Sequence, residues 1–225
     1  MFLRRALLGG LPHGVACYAR RTMASEARRI KVYTKTGDKG TSQLFTGERR
    51  EKSDAVFHAL GDTDELGSAV GVAREHARRS ATSSGDAALG ALDGRLVTIQ
   101  SRLMDVGSAV ATPRSSASAA KMKRAAFGDS HAADLEAWID EMDAELPPLT
   151  SFILAGGGLT AAHLHHARAV CRRAERRVQE LVALEETDRE VGMYMNRLSD
   201  FFFVAARLAA LREGHEETIY KKVKE

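Results

Sequence analysis

The 225 residues are 44% hydrophobic, 28% charged and 6% aromatic, an ordinary globular composition that rules out collagen-like, low-complexity and wholly disordered chains. No run of about eighteen apolar residues occurs, which rules out a membrane-spanning helix as well. The net charge of +3 conceals a division: residues 1–29 hold six Arg and one Glu, leaving a mildly acidic body with no general footprint for nucleic acid.

Residues 1–25 contain four Arg, no Asp or Glu, and scattered apolar residues interrupted by Pro12, His13 and glycines. An Arg-rich, acid-free start of this kind reads as a mitochondrial transit peptide over residues 1–29; a basic tail without an address is the alternative. Residues 29–50 are rich in Gly, Thr and Lys and lack a helical period, which predicts an ordered loop with short extended pieces. From Ser53, a candidate N-cap, the positions Val56, Leu60, Asp64 and Gly67 or Gly71 fall on one side of a helix reaching about residue 79. The stretch SATSSGD (80–86) breaks it. Leu89, Leu92, Leu96, Ile99, Leu103, Val106 and Val110 then keep a helical beat up to Pro113.

Residues 113–130 are Ser/Ala-rich and predict a mobile loop, and a shorter third helix over about 131–145 stops at Pro147 and Pro148. The glycines at 156–158 precede a long fourth helix to about 185, and Thr187 with Glu190 forms a capping box for a fifth that ends at Gly214. Five helices with apolar faces and mostly short links predict an all-α fold: an antiparallel five-helix bundle with a loop at its N-terminal side. It forms one domain over 30–215, with 216–225 as a C-terminal tail.

The fourth helix carries Arg168, Arg172 and Arg176 at i, i+4 and i+8. Each step of four turns about 40° past a full circle, so the three form one stripe, and each like-charge pair costs an isolated helix about 0.2–0.5 kcal/mol. Something should neutralise them. Either Glu175, Glu180 and neighbouring carboxylates balance a solvated face, or the forks bind a polyphosphate. Arg173 and Arg177 lie on a different side and suit an ordinary surface set.

The segment TKTGDKGTS (34–42) is a candidate second half of such a site. Gly37 and Gly40 let backbone amides close on an anion, while Lys35, Lys39, Thr34, Thr36, Thr41 and Ser42 supply donors. It is not a Walker A loop, and a plain turn is the alternative. Asp64 and Asn196 stand on otherwise apolar faces. Burial would oblige Asp64 to find a partner, for which an arginine of the stripe is the natural candidate. His163, His165 and His166 lack a carboxylate at ligand spacing and suit polar surface or capping roles, so no metal centre is indicated. Cys17 and Cys171 form no framework or metal spacing, and Cys171 reads as a small core residue.

Taken together, TKTGDKGTS (34–42), GER-x-x-K (47–52), ALGDTDELGSAVG (59–71), FIL-x-GG (152–157), LHHARAVCRRAERRV (164–178) and NRLSDFFF (196–203) resemble the PduO-type ATP:cob(I)alamin adenosyltransferases, in the family's order and over most of residues 30–213. The resemblance implies a homotrimer with active sites between subunits. It implies that residues Thr34, Lys35, Thr36, Gly37, Asp38, Gly40, Thr41 and Ser42 wrap the ATP phosphates. Lys52, the block Arg172, Arg173, Glu175 and Arg176, and Asn196 then also contact ATP. Asp64 pairs with Arg168 across the interface beside the corrin, and Phe152 lies under the corrin where a lower axial ligand would bind; these three carry the catalytic roles. Mg²⁺ accompanies the ATP, held largely by phosphates.

The implied reaction makes adenosylcobalamin and triphosphate in the mitochondrial matrix, with a reductase supplying reduced cobalamin and a mutase receiving the product. The alternative is a cobalamin or nucleotide carrier without turnover. A nucleic-acid role is disfavoured by the acidic body and the lack of aromatics interleaved around the arginines. The chain departs from the family pattern at Ser42, which keeps a hydroxyl, at Gly67, and at Ala155, where loss of Pro loosens the turn before the fourth helix.

Overall fold

The computed structural model describes Tyr33 and residues 35–223, so the transit-peptide expectation and Thr34 lie outside the described residues. The chain divides into two compact units, Met1–Thr36 and Gly37–Glu225. Of the first, Tyr33, Lys35 and Thr36 are described, and Lys35 takes a left-handed backbone with φ 58°.

The second unit is the expected all-α bundle, preceded by a small hairpin. Strands β1 (Thr41–Gln43) and β2 (Arg49–Glu51) pair antiparallel, with Ser42 opposite Arg50. The five expected helices are α1 (Ala55–Ser84), α2 (Ala87–Val110), α4 (Ser130–Asp143), α5 (Gly158–Ala183) and α6 (Arg189–Arg212). A further short helix, α3 (Ala119–Ala125), occupies the middle of the stretch expected to be a loop. Ser118 caps it by accepting from the Lys121 amide, and Lys123 and Arg124 fall in its last turn, where cations suit the helix dipole.

Three boundaries differ from expectation for local reasons. The N-cap of α1 is Asp54, not Ser53, its carboxylate accepting from the Val56 amide at 2.9 Å. The same helix continues through SATSS because Thr82, Ser83 and Ser84 turn their hydroxyls onto the Arg78 and Ser80 carbonyls and follow the helical path. The break shrinks to Gly85, left-handed at φ 71°, and Asp86, which caps α2 through the Leu89 amide. At α6 the capping box does not form. Asp188 is the N-cap residue, but its carboxylate takes Arg114 (2.6 Å) and the Phe127 amide, and the Thr187 hydroxyl is buried without a partner.

The core follows the helical period. All seven predicted apolar positions of α2 are buried, from Leu89 to Val110. On α1 the buried stripe is Val56, Ala59, Thr63, Leu66, Val70, Ala73 and Ala77. It is therefore one position round from the expected face, and Leu60, Asp64, Gly67 and Gly71 border the core and do not enter it. Small side chains decided this, because Ala59, Ala73 and Ala77 let α1 lie close against α5. Helix α5 packs against both α1 and α6, and α4 covers α6, whose Phe201 and Phe202 are fully buried. Among the described residues no helix is long and apolar enough to cross a membrane.

Gly157 sets the entry to α5. Its φ is +84°, and a Cβ there would stand 2.7 Å from the Cβ of Ala210. Gly157→Ala should destabilise the chain by about 1–3 kcal/mol in urea unfolding, through strain and the forced shift of α6. An unchanged midpoint would contradict this close approach.

Candidate active site

The hairpin brings part of the predicted phosphate loop together with Lys52. The Lys52 amide donates to the Gly40 carbonyl at 2.8 Å, and the Gly40 amide to the Gly37 carbonyl at 3.3 Å. Gly40 is left-handed at φ 84°, and a Cβ on Gly37 would meet the Lys52 ammonium at 3.3 Å. Asp38, Gly40 and Lys52 are exposed, while Thr41 and Ser42 are half-buried on β1. Arg49 donates to the Thr41 hydroxyl at 2.8 Å, and Arg50 pairs with Glu48 at 2.9 Å and with Asp54 at 3.6 Å. An ammonium beside an exposed glycine turn is a local chemistry suited to an anion.

On α5 the arginines divide into two sets. Arg173 pairs with Asp62 (3.2 Å) and Glu65 of α1, and Arg177 with Asp62 and Glu180. Arg168, Arg172 and Arg176 make no ion pair among the described residues. Arg172 and Arg176 are exposed, and the Arg176 guanidinium donates to the Arg172 carbonyl at 2.9 Å. The carboxylates expected to balance the stripe are engaged elsewhere: Glu180 with Arg177, and Glu175 as acceptor from the Asn196 amide at 2.8 Å. Glu175 and Asn196 are thus brought together beside the stripe, although Asn196 is exposed and does not face the core as expected. The Arg173 guanidinium, one of the predicted ATP contacts, is held by the α1 carboxylates.

Arg168 is half-buried; its guanidinium lies over the Phe203 ring at 5.9 Å, and its buried Nε has no hydrogen-bond partner. Asp64 is exposed, which corrects the expectation that it turns inward: the rotation of the α1 stripe carries it to a groove of about 580 Å³ between α1 and α2. Within the chain no ion pair joins Asp64 to Arg168, and no hydrogen bond or ion pair joins the hairpin to the stripe among the described residues. Phe152 is 83% exposed, standing on the connection between α4 and α5 with its ring free of the core.

Comparison with known proteins decides what this arrangement belongs to. Residues 32–209 match the family model for cobalamin adenosyltransferase. The chain belongs to the cobalamin adenosyltransferase family. It is 52% identical over 200 residues to the mouse corrinoid adenosyltransferase MMAB, covering 88% of this chain and 81% of the relative. To the human MMAB it is 50% identical over 212 residues, 94% of this chain and 82% of that one. A corrinoid adenosyltransferase of Bacillus subtilis is 40% identical over 86% of this chain and 93% of its own. Among solved structures, a variant of the PduO-type ATP:corrinoid adenosyltransferase from Lactobacillus reuteri, complexed with cobalamin and ATP, superposes with a TM-score of 0.74 at 34% identity, covering 85% of this chain and all of that one.

Of two buried polar residues in this family member, Arg207 was not singled out by the sequence pattern and His165 was assigned to the wrong environment. Arg207, 4% exposed on α6, donates to Glu217 at 2.7 Å and to the Pro147 carbonyl at 2.9 Å. Its one sequence signal is a lone cation inside the apolar run 201–211. His165 is 6% exposed, against the expectation of a surface or capping role, and its Nδ1 is unpartnered. His163 instead stacks on His76 with ring centroids 5.0 Å apart. Burial pushes Cys171 well above its usual range, which leaves it a core thiol and not a nucleophile.

Burial first, then the Arg168 charge, lowers the His165 pKa from its ordinary 6.5, with Glu217 opposing. A base whose folded pKa is depressed keeps full stability above its unfolded pKa and loses it as pH falls through the folded value. The unfolding midpoint should therefore fall as pH drops below about 6.5, and His165→Asn should flatten that fall. Parallel pH profiles for the two proteins would contradict it.

Proposed function

We propose that Arg172 and Arg176 of the α5 stripe and the Gly37–Ser42 loop with Lys52 hold the triphosphate of ATP, and that the chain transfers the 5′-deoxyadenosyl group of ATP to the cobalt of reduced cobalamin. The observation that carries this is the division on α5: Arg173 and Arg177 are neutralised by carboxylates, and Arg168, Arg172 and Arg176 are not. A solvated face would share its carboxylates among all five. Cationic forks left open along a rigid helix match a polyphosphate. Thr34, Lys35 and Thr36 are assigned to the nucleotide from the continuity of their motif with Gly37, and Asp38 from its place in the same turn.

In the reaction Co(I) supplies the electron pair that forms the Co–C bond to the 5′-carbon. The C–O bond breaks, and its electrons leave with the triphosphate. Negative charge builds on that leaving group, so Arg172, Arg176 and the hairpin amides stabilise the transition state more than the ground state. The nucleophile carries no proton, and no general base is required. What remains is to hold two large reactants in line, a positioning task suited to groups on packed helices. Asn196 fixes Glu175 beside the stripe, and Arg173 stiffens the same stretch by tying α5 to α1.

Asp64 and Arg168, neither in an ion pair among the described residues, favour a site completed by another copy of the chain. In a homotrimer the exposed α1–α2 face, with its groove and with Met104 73% exposed, would be covered by a neighbour whose Arg168 meets Asp64. Phe152 stands free to lie against the corrin and keep a lower axial ligand from cobalt, which eases reduction of Co(II). Among the described residues no three His, Cys, Asp or Glu side chains cluster as a metal site. A Mg²⁺ ion would ride on the nucleotide, with phosphate oxygens as its main ligands. The acid-free, Arg-rich start supports a mitochondrial matrix location, where a reductase would supply Co(I) and an adenosylcobalamin-dependent mutase would consume the product.

Reduced cobalamin and MgATP should give the absorbance change of Co–C bond formation together with triphosphate release. Tight ATP binding without product would instead identify a carrier. Arg172→Ala should weaken ATP about tenfold or more by calorimetry, the loss of a charge-assisted contact, while Arg177→Ala stays within about twofold. Equal losses would refute the division of the arginines. Phe152→Ala should leave ATP affinity near that of the parent and slow conversion that begins from Co(II).

A further inference from the structure

Phe152 belongs to a connection with no helix of its own, yet its backbone is held. The Tyr220 amide donates to the Phe152 carbonyl at 2.8 Å, the Leu154 amide donates to the Thr218 carbonyl at 2.8 Å, and Ile153 bridges Ile219 antiparallel. The C-terminal segment is therefore not a free tail. It is a short extended stretch, joined by an isolated antiparallel bridge to the connection that bears Phe152.

That stretch is anchored in turn by one guanidinium. Arg207 projects from α6, where its side chain is 3% exposed, and binds the Glu217 carboxylate (Nε to Oε1, 2.7 Å) and the Pro147 carbonyl (2.9 Å). Pro147 opens the connection that leads to Phe152, and Glu217 opens the stretch that bridges to it. Without Glu217 the buried cation would be left unneutralised, and without the Pro147 carbonyl it would lose a hydrogen-bond acceptor, so these three groups hold one another to a single geometry. Backbone packing seconds the clasp. A Cβ on Gly158 would stand 2.4 Å from the His215 ring, so the first turn of α5 and the start of the C-terminal segment meet with no room for a side chain.

We propose that Arg207 and Glu217 are positioning residues for adenosyl transfer, acting through the extended stretch 218–220 to fix where Phe152 stands. This rests on the role given to Phe152 above. Neither residue touches a reactant. They set the height of a ring whose service is to exclude an axial ligand, so their loss should appear in cobalt ligation and in conversion from Co(II) and not in nucleotide affinity.

The test uses the full chain with Glu217→Ala, which removes the carboxylate and keeps Arg207, and a chain ending at Glu216, with Glu217→Gln as the conservative variant that still offers Arg207 an acceptor. Amide exchange at Leu154 should accelerate about tenfold or more in the first two, by local opening of the bridged stretch. ATP affinity should stay within about twofold, conversion from Co(II) should slow about tenfold, and the bound Co(II) spectrum should shift toward the axially ligated form. Glu217→Gln should recover part of the rate. Placed on Phe152→Ala, Glu217→Ala should add less than about twofold, because both act through one ring. Unchanged exchange at Leu154, an unchanged Co(II) spectrum, or an equal loss of ATP affinity would overturn the clasp. If Phe152→Ala itself leaves cobalt ligation unaltered while Leu154 exchange still responds to Glu217→Ala, the role of Phe152 fails and the anchoring of its segment stands.

Discussion

Three guanidiniums on one face of α5 that make no ion pair among the described residues are the constraint on which the rest depends. Like charges at this spacing are mildly unfavourable in a helix, and the fold does nothing within the chain to relieve them. It relieves the other two arginines instead, drawing Asp62 and Glu65 of α1 onto Arg173 and Glu180 onto Arg177. Asp62, Glu65 and Glu180 are thus allotted to one side, and in the proposed reading the stripe keeps its charge for an anion. The helix that bears it is among the most firmly held parts of the molecule. Ala161, Ala167, Cys171, Ala174 and Val178 are buried against α1 and α6, so the guanidiniums project from a base that does not shift.

The chemistry that follows is electrostatic and geometric. A leaving triphosphate needs fixed positive charge and amide dipoles, and the attacking metal centre needs no proton removed. This accounts for a site with many cations and no nucleophile–base pair. It also accounts for the spread of the site over separate elements, the hairpin, α1, the 152–154 connection and α5. In the proposed reading one set of groups holds the nucleotide and another the corrin. Asp64 and Arg168 make no ion pair among the described residues, and in the proposed reading they mark the seam where a neighbouring copy joins those two sets.

Much of this was legible in the sequence, and the failures have identifiable causes. The five long helices follow from apolar periodicity, and the α2 stripe from Leu89 to Val110 is buried as read. On α1 the period was right but the phase was one position off, since Ala and Thr can face a core as well as Leu when two helices approach closely. That single step turned Asp64 from an inward residue into an exposed one. The Ser/Thr run at 80–84 suggested a break, yet its hydroxyls satisfy helical carbonyls. Arg207 escaped notice because its partners, Glu217 and the Pro147 carbonyl, lie in segments that composition marks only as tail and turn. The family resemblance supplied what periodicity could not, the identity of the two reactants.

The most direct measurement is a crystal structure of the chain with cobalamin and ATP bound. The account predicts phosphate oxygens within hydrogen-bond distance of Arg172 and Arg176, with the hairpin of a chain closing on the same phosphates. Guanidiniums pointing into solvent, with the triphosphate seated against other residues, would contradict it.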